Sequence, residues 1–148
     1  MRFEILFLSI IALAAAADDF KPIKGVKTTY KVLTEGAKDA ATVEVGDTVT
    51  VHATGTVLQT GKKFWSTKDE GQTPFTYTAG GGVITGWDMG ARGMKVGEVR
   101  ELKIPADEGY GAGGFPAWGI TPGAELKFEL EVLSIKGKSK SHFTDYEL

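Results

Sequence analysis

The 148-residue sequence contains no cysteine and no asparagine. The first absence excludes disulfide bonds, a thiol nucleophile and a thiolate metal site, so stability has to come from the core. The second absence excludes N-glycosylation, because that modification requires an asparagine side chain. Only two histidines occur, His52 in a predicted strand and His142 near the end of the chain. We therefore expect no metal site and interpret His52 as a hydrogen-bonded strand residue.

The sequence also lacks an excess of positive charge. It has 17 Lys and Arg against 19 Asp and Glu, a formal net charge of −2, whereas a nucleic-acid-binding domain carries a strong basic patch. No GxxxxGK[ST] phosphate-binding motif occurs. The composition, 42% hydrophobic and 24% charged, is typical of a soluble globular protein, and the length suits one domain. We therefore expect no nucleic-acid partner.

Only one long apolar run is present, from Ile5 to Ala17. Its 13 residues fall short of the roughly 20 that span a bilayer. Arg2 precedes the run, and Ala15 to Ala17 fit a small-residue cleavage site. We therefore predict a signal peptide over residues 1–17, with an uncleaved anchor as the alternative. No second such run follows, so we expect no membrane segment in the mature form.

Both ends of the predicted mature chain are polar. We interpret residues 18–24 as an N-terminal extension and residues 137–148 as a C-terminal tail. The tail ends in Asp145-Tyr146-Glu147-Leu148, whose last two residues match retention signals of the endoplasmic reticulum and whose first two do not. We therefore expect a secretory-pathway protein that is either held in the endoplasmic reticulum lumen or secreted.

Alternation of apolar and polar residues predicts five or six β-strands. The strongest patterns run over Thr48–Leu58 and Ala124–Ile135, where one set of alternate residues is apolar and the other polar. The short connections favour antiparallel pairing. An antiparallel sheet with one polar face has to bury its other face on another element.

One short helix is predicted in the middle of the chain. Thr85 is in position to cap its N-terminus, with Asp88 three residues further on. Trp87, Ala91 and Met94 follow the i, i+4, i+7 spacing of a single helix face. The sequence therefore predicts an α+β fold in which the antiparallel sheet curls around this helix.

Aromatic residues cluster next to the predicted loops, and none of the usual catalytic sets accompanies them. Core packing accounts for some of these rings. The segment "YGAGGFPAW", however, is a loop, and aromatic side chains in a loop are either buried beneath it or line a cleft. A concave apolar site with few polar groups is typical of a ligand pocket. The aromatic residues concerned are Phe64, Trp65, Phe75, Tyr77, Trp87, Tyr110, Phe115 and Trp118.

Several motifs, in order and spacing, resemble the FKBP-type peptidyl-prolyl cis-trans isomerases. They are "TGTVLQTGKKFWST", "PFTY", "VITGWDMGARGMKVGE", "IPADEGYGAGG" and "AELKFELEVLSI". The resemblance covers residues 25–136, which we take as the isomerase domain. It implies an antiparallel half-barrel wrapped on one short helix, and a monomer that needs no cofactor. Its partners would be proline-containing polypeptides and macrolides of the tacrolimus and rapamycin type.

The resemblance also implies a set of site residues. Trp87 matches the tryptophan that forms the pocket floor beneath the substrate proline, and Ile84 matches the residue whose backbone N–H binds a substrate carbonyl. The residues implied as catalytic are Phe64, Trp87, Tyr110 and Phe128. Those implied as substrate-binding are Phe75, Val83, Ile84, Phe115, Ile120 and Trp65.

Two positions depart from the family pattern. Trp65 stands where most members have Asp, and Ala53 stands where they commonly have Tyr. In the family the Asp accepts a hydrogen bond from the Tyr, so losing both leaves no unpaired partner. Two functions therefore remain open: a prolyl isomerase that acts in protein folding, and a peptide-binding or chaperone module with weak or no catalysis.

Overall fold

The structure, a computed structural model, describes residues 19–138 as one antiparallel sheet with one α-helix. The predicted α+β fold is confirmed, with seven strands instead of five or six. The strands are β1 (Lys21–Pro22), β2 (Thr29–Thr34), β3 (Thr48–Val57), β4 (Lys63–Ser66), β5 (Phe75–Thr78), β6 (Val99–Ile104) and β7 (Leu126–Ile135). The helix, α1, spans Thr85–Ala91. The strand missed by sequence analysis, β1, has two residues, too few for an alternating pattern.

The sheet is ordered β1-β2-β6-β7-β3-β4, and β5 pairs with β3 as well. The ten-residue strand β3 pairs along its length with β7 on one side. On its other side β5 pairs with the first half of β3, over residues 48–51, and β4 with the second half, over residues 54–56. β4 and β5 therefore form consecutive parts of one edge, and the loop between them leaves the sheet there.

Alternation along the two longest strands decides which face is buried. In β7, Leu126, Phe128, Leu130 and Val132 are buried, while the residues between them are partly or fully exposed. The same alternation runs through β3. This confirms the faces predicted for β7, and the buried face is the one that packs on α1.

Two glycines allow α1 to lie directly on the sheet. A Cβ at Gly90 would lie 2.6 Å from Cδ1 of Leu102, and one at Gly86 would lie 2.5 Å from Cγ2 of Ile104. Both partners are buried side chains of β6. Any larger residue at either glycine would therefore push the helix away from the sheet.

The predicted N-cap of the helix was wrong. Ile84 occupies the cap position and no side chain caps the helix. The Asp88 carboxylate instead accepts hydrogen bonds from the Gly80 N–H at 2.8 Å and the Arg92 guanidinium at 2.8 Å. The carboxylate thus ties the helix to the preceding glycine-rich turn.

Several predictions concern residues outside the described range. Residues 1–17, the predicted signal peptide, lie outside it, as do residues 139–148 of the predicted tail. Within residues 19–138, no helix is long and apolar enough to cross a membrane. Part of the predicted N-terminal extension is β1, which joins the sheet by pairing with β2.

Candidate functional site

Trp87 lies between the helix and the sheet, with only 4% of its surface exposed. Its ring meets Phe128 of β7 at a centroid distance of 5.1 Å and Tyr77 of β5 at 5.7 Å, both edge to face. Edge-to-face contacts are a favoured arrangement of aromatic pairs. The indole is therefore held rigidly by the two elements beneath and beside it.

A cavity of about 220 Å³ opens above this indole. The walls come from β4, β5, the turn before α1 and the long loop between β6 and β7. None of the charged side chains in residues 19–138 lines it, so the cavity has a low-dielectric, apolar character. The lining residues are Trp65, Phe75, Gly82, Val83, Ile84, Trp87, Tyr110, Trp118 and Phe128.

The structure brings most of the predicted site residues to this cavity. Three of them, Phe64, Phe115 and Ile120, do not line it. Phe64 packs behind the wall, 5.6 Å from the ring of Phe128. Phe115 stacks on Tyr110 at 5.6 Å, and Ile120 is buried and paired with Phe115 by two backbone hydrogen bonds of 2.9 and 3.1 Å. These three residues support lining residues from behind or from the side.

Trp65 forms one wall of the cavity. It pairs with Gly55 in the sheet, and its ring lies 6.3 Å from that of Trp87 and 5.9 Å from that of Phe75. Gly55 has no side chain to block Phe64, since a Cβ there would lie 2.4 Å from Cζ of the Phe64 ring.

Ala53 lies on the same buried face of β3, two residues before Gly55, and is 1% exposed. Its backbone N–H donates to the Thr67 hydroxyl at 2.9 Å, and its carbonyl accepts from the Thr67 N–H at 2.9 Å. Both backbone polar groups of this buried residue are therefore paired.

Trp118, one of the aromatic residues that sequence analysis found next to loops, was not among the site residues implied by the resemblance. It ends a short 3-10 turn, Pro116–Trp118, and its ring stacks on Trp65 at 6.0 Å with 26° between the planes. Gly114 holds the loop in a tight turn, since it has a φ of 63° and a Cβ there would lie 2.4 Å from the Ile120 carbonyl oxygen. An aromatic residue in a glycine-rich loop was the available signal. Relative to the family pattern the loop has one extra residue around Trp118-Gly119, so the resemblance gave Trp118 no role.

Two tyrosine hydroxyls near the cavity are held in the neutral form. Burial raises the pKa of Tyr77 to about 12 and raises the pKa of Tyr110 as well. Both side chains therefore remain protonated at physiological pH. Within residues 19–138, neither the Tyr77 hydroxyl nor Trp87 Nε1 has a hydrogen-bond partner.

Ile84 places a backbone donor at the cavity. It lines the cavity and has an extended conformation with φ −54° and ψ 148°. Its carbonyl accepts the Asp88 N–H at 3.0 Å, while no acceptor in the described part of the chain takes its own N–H.

His52 lies on the opposite face of β3 from the cavity. Its Nδ1 is 2.9 Å from the Thr67 hydroxyl, which confirms its interpretation as a hydrogen-bonded strand residue. Among residues 19–138, no group of three or more His, Cys, Asp or Glu side chains has the arrangement of a metal site.

Comparison with known families gives one match over most of the described chain. The model of the FKBP-type peptidyl-prolyl cis-trans isomerase family matches residues 39–133. A peptidyl-prolyl cis-trans isomerase FKBP12 of Arabidopsis thaliana is 57% identical over 94 residues, covering 62% of this chain and 84% of the relative. FK506-binding protein 2 of Emericella nidulans is 39% identical over 137 residues and 92% of both chains.

Two solved structures share the fold. A peptidyl-prolyl cis-trans isomerase of Pseudomonas syringae has a TM-score of 0.68 at 26% identity, covering 84% of this chain and 86% of that one. The N-terminal domain of FKBP42 from Arabidopsis thaliana has a TM-score of 0.71 at 22% identity, covering 80% and 92%. The half-open sheet on one helix is thus a known architecture.

Proposed function

The chain belongs to the family of FKBP-type peptidyl-prolyl cis-trans isomerases, and we propose that it accelerates rotation about X–Pro bonds of polypeptides folding in the secretory pathway. One observation carries the catalytic part of the proposal. The cavity above Trp87 is apolar, lacks charged lining groups and has a volume of about 220 Å³, which suits a proline ring. The enzyme class itself is that of the family.

An apolar cavity suits this reaction because of how the amide changes during rotation. A planar X–Pro bond has partial double-bond character, with negative charge on oxygen and positive character on nitrogen, and a barrier of about 18–20 kcal/mol. The twisted transition state has lost that charge separation. A dry apolar environment therefore disfavours the planar amide relative to the twisted one. Each tenfold acceleration requires a difference of only about 1.4 kcal/mol.

Different residues around the cavity have different roles in binding the substrate and promoting rotation. Trp87 supports the proline ring from below, and Phe128 holds the indole in place. The Ile84 N–H binds a substrate carbonyl and so fixes one side of the rotating bond. The neutral Tyr110 hydroxyl supplies a polar group on the loop side without introducing a charge.

A protease-coupled assay with a proline-containing peptide tests this proposal. The full-length natural protein should accelerate isomerisation, and Trp87→Ala should remove most of the acceleration. Ile135→Ala is the matched control, because Ile135 is equally buried but does not line the cavity. A folded natural protein that leaves the uncatalysed rate unchanged would refute the catalytic proposal.

A peptide-binding module with weak catalysis is the second candidate, and Trp65 favours it. The indole takes up part of the site where most family members have the smaller Asp, and it contacts both Trp87 and Trp118. Proline peptides would then bind without turnover. Calorimetric binding of the same peptide, together with no acceleration in the assay, would identify this function.

The family binds proline-containing substrates and FK506-type ligands, and we expect both classes to enter this cavity. The secretory location is supported by the apolar run of residues 5–17 and by the final Glu-Leu pair. A monomer remains our expectation for the folded chain.

A further inference from the structure

Two indoles lie side by side along one wall of the cavity. Trp65 comes from β4 and Trp118 from the long loop, with ring centroids 6.0 Å apart and planes at 26°. Phe115 meets Trp118 edge to face at 5.5 Å. These three residues, named here the aromatic shelf, are continuous with the floor of the cavity, because Trp65 also lies 6.3 Å from Trp87.

The shelf leaves apolar surface in water. Trp118 is 44% exposed and Phe115 is 39% exposed. Trp118 is also supported from behind, since Phe64 lies 6.4 Å from its ring and 5.6 Å from that of Phe128. A supported, solvent-facing aromatic surface beside an apolar cavity is typical of a recognition site.

We propose that the aromatic shelf is a specificity element, which selects substrates carrying an aromatic side chain immediately before the proline over those with an aliphatic side chain of similar size. This inference rests on the proposed function, because it concerns the same site. With the proline ring above Trp87, the neighbouring residue lies only one residue spacing away, about 3.8 Å between Cα atoms. Its side chain is then within reach of the shelf.

The discrimination follows from the chemistry of the rings. An aliphatic and an aromatic side chain both gain from leaving water, but only the aromatic one gains the additional stacking or edge contact with an indole. Trp118 is the determinant because, among the aromatic residues of the range 19–138, its ring contacts only Phe64, Trp65 and Phe115. Trp65, in contrast, also contacts the floor residue Trp87, at 6.3 Å between ring centroids.

Two peptides that differ only in having Phe or Leu before proline test the proposal, with kcat/KM measured for the full-length protein. We expect about a threefold to tenfold preference for the Phe peptide. Trp118→Ala should bring the ratio close to one, and Trp118→Phe should preserve most of it. Phe20→Ala is the control, because this aromatic ring packs under Lys103, 3.9 Å from its Nζ, and does not line the cavity.

A ratio that is unchanged in Trp118→Ala, or equal losses for both peptides, would overturn the proposal and leave Trp118 as a loop support. If the natural protein turns over neither peptide, the proposed catalytic function is refuted. The role of the shelf is then tested by measuring the affinity of the protein for each peptide. All three tryptophans of the chain lie at the site, so their fluorescence reports peptide binding. Tighter binding of the Phe peptide that Trp118→Ala abolishes would support the shelf, and equal affinities would refute it.

Discussion

At the scale of single residues, Trp87 is both the floor of the cavity and part of the core. We predict that Trp87→Ala lowers the free energy of unfolding by about 3–5 kcal/mol, because it removes a large buried ring. Trp87→Phe should cost less, because a ring remains against Phe128. Chemical denaturation measures both costs. Normal turnover by a folded Trp87→Ala protein would place the site elsewhere.

Trp65 and Ala53 form the second residue-scale prediction. Both lie on the buried face near Gly55, and we expect their departures from the family pattern to compensate in volume. Ala53→Tyr alone should overpack the site, and Trp65→Asp alone should leave a carboxylate without a hydroxyl partner. The double variant should recover stability and bind tacrolimus more tightly than the natural protein.

A double-mutant cycle measures this coupling. Residues in contact show interaction energies of about 0.5–3 kcal/mol. Denaturation and tacrolimus titration of the two single variants and the double variant supply the cycle. Strictly additive effects in both measurements would mean that the two side chains do not interact.

At the scale of elements, the approach of α1 to β6 depends on Gly90. In an exposed helix, replacing Gly by Ala stabilises by about 1 kcal/mol. Here the added methyl group would lie 2.6 Å from Cδ1 of Leu102, which is fully buried. We therefore predict that Gly90→Ala destabilises the protein, by about 1–3 kcal/mol.

Gly113→Ala is the control for this substitution, because no atom lies within 4 Å of a Cβ added there. It should leave the thermal midpoint nearly unchanged. A Gly90→Ala protein as stable as the natural one would show that the helix can move away from the sheet at little cost.

An ion pair links Lys138, three residues after the end of β7, to the loop before β3. The Lys138 amine donates to the Asp47 carboxylate at 2.8 Å and to the Thr42 carbonyl at 3.2 Å. The bond from Lys138 holds the pKa of Asp47 below its ordinary value of 3.8. Because this pKa is lower in the folded state, the contribution to stability is present above the unfolded pKa and lost as the pH falls through the folded one.

Asp47→Asn should therefore lower the free energy of unfolding at pH 7, and the deficit should shrink as the pH falls below about 4. Denaturation curves at several pH values measure this difference. Asp39→Asn, at an exposed carboxylate, is the control. A deficit that is constant from pH 7 to pH 2 would contradict the role given to the Asp47–Lys138 pair.

Sequence analysis located the elements whose apolar and polar residues follow a regular spacing within the element itself. Alternation located β3 and β7, and the helical spacing of Trp87 and Ala91 located α1, because each pattern reflects burial of one face. Met94, predicted on the same helix face, is buried but lies after the helix ends at Ala91. The N-cap was wrong because the Asp88 carboxylate binds Gly80, a tertiary contact that spacing does not encode. Trp118 was named as a loop aromatic but received no site role, because the extra loop residue left it without a match in the family pattern. Its contact with Trp65, which is distant in sequence, depends on how that loop folds.

At the scale of the whole molecule, the location of the chain in the cell is a prediction from its terminal segments. A reporter inserted within the chain, so that both termini stay free, should enter the secretory pathway. A matched version lacking Asp145 to Leu148 should be secreted more if the final Glu-Leu pair acts in retention. Equal secretion of both versions would refute the predicted retention. Absence of both versions from the secretory pathway would refute the predicted signal peptide.

The central claim is that the apolar cavity above Trp87 catalyses rotation about the X–Pro bond, and NMR exchange spectroscopy measures that rotation directly. Uncatalysed exchange between the cis and trans forms of a proline peptide takes tens to hundreds of seconds. A catalytic amount of the natural protein should produce exchange cross-peaks between the two forms, and Trp87→Ala should abolish them while Ile135→Ala retains them. Absence of cross-peaks with the folded natural protein, or equal exchange with Trp87→Ala, would contradict the claim.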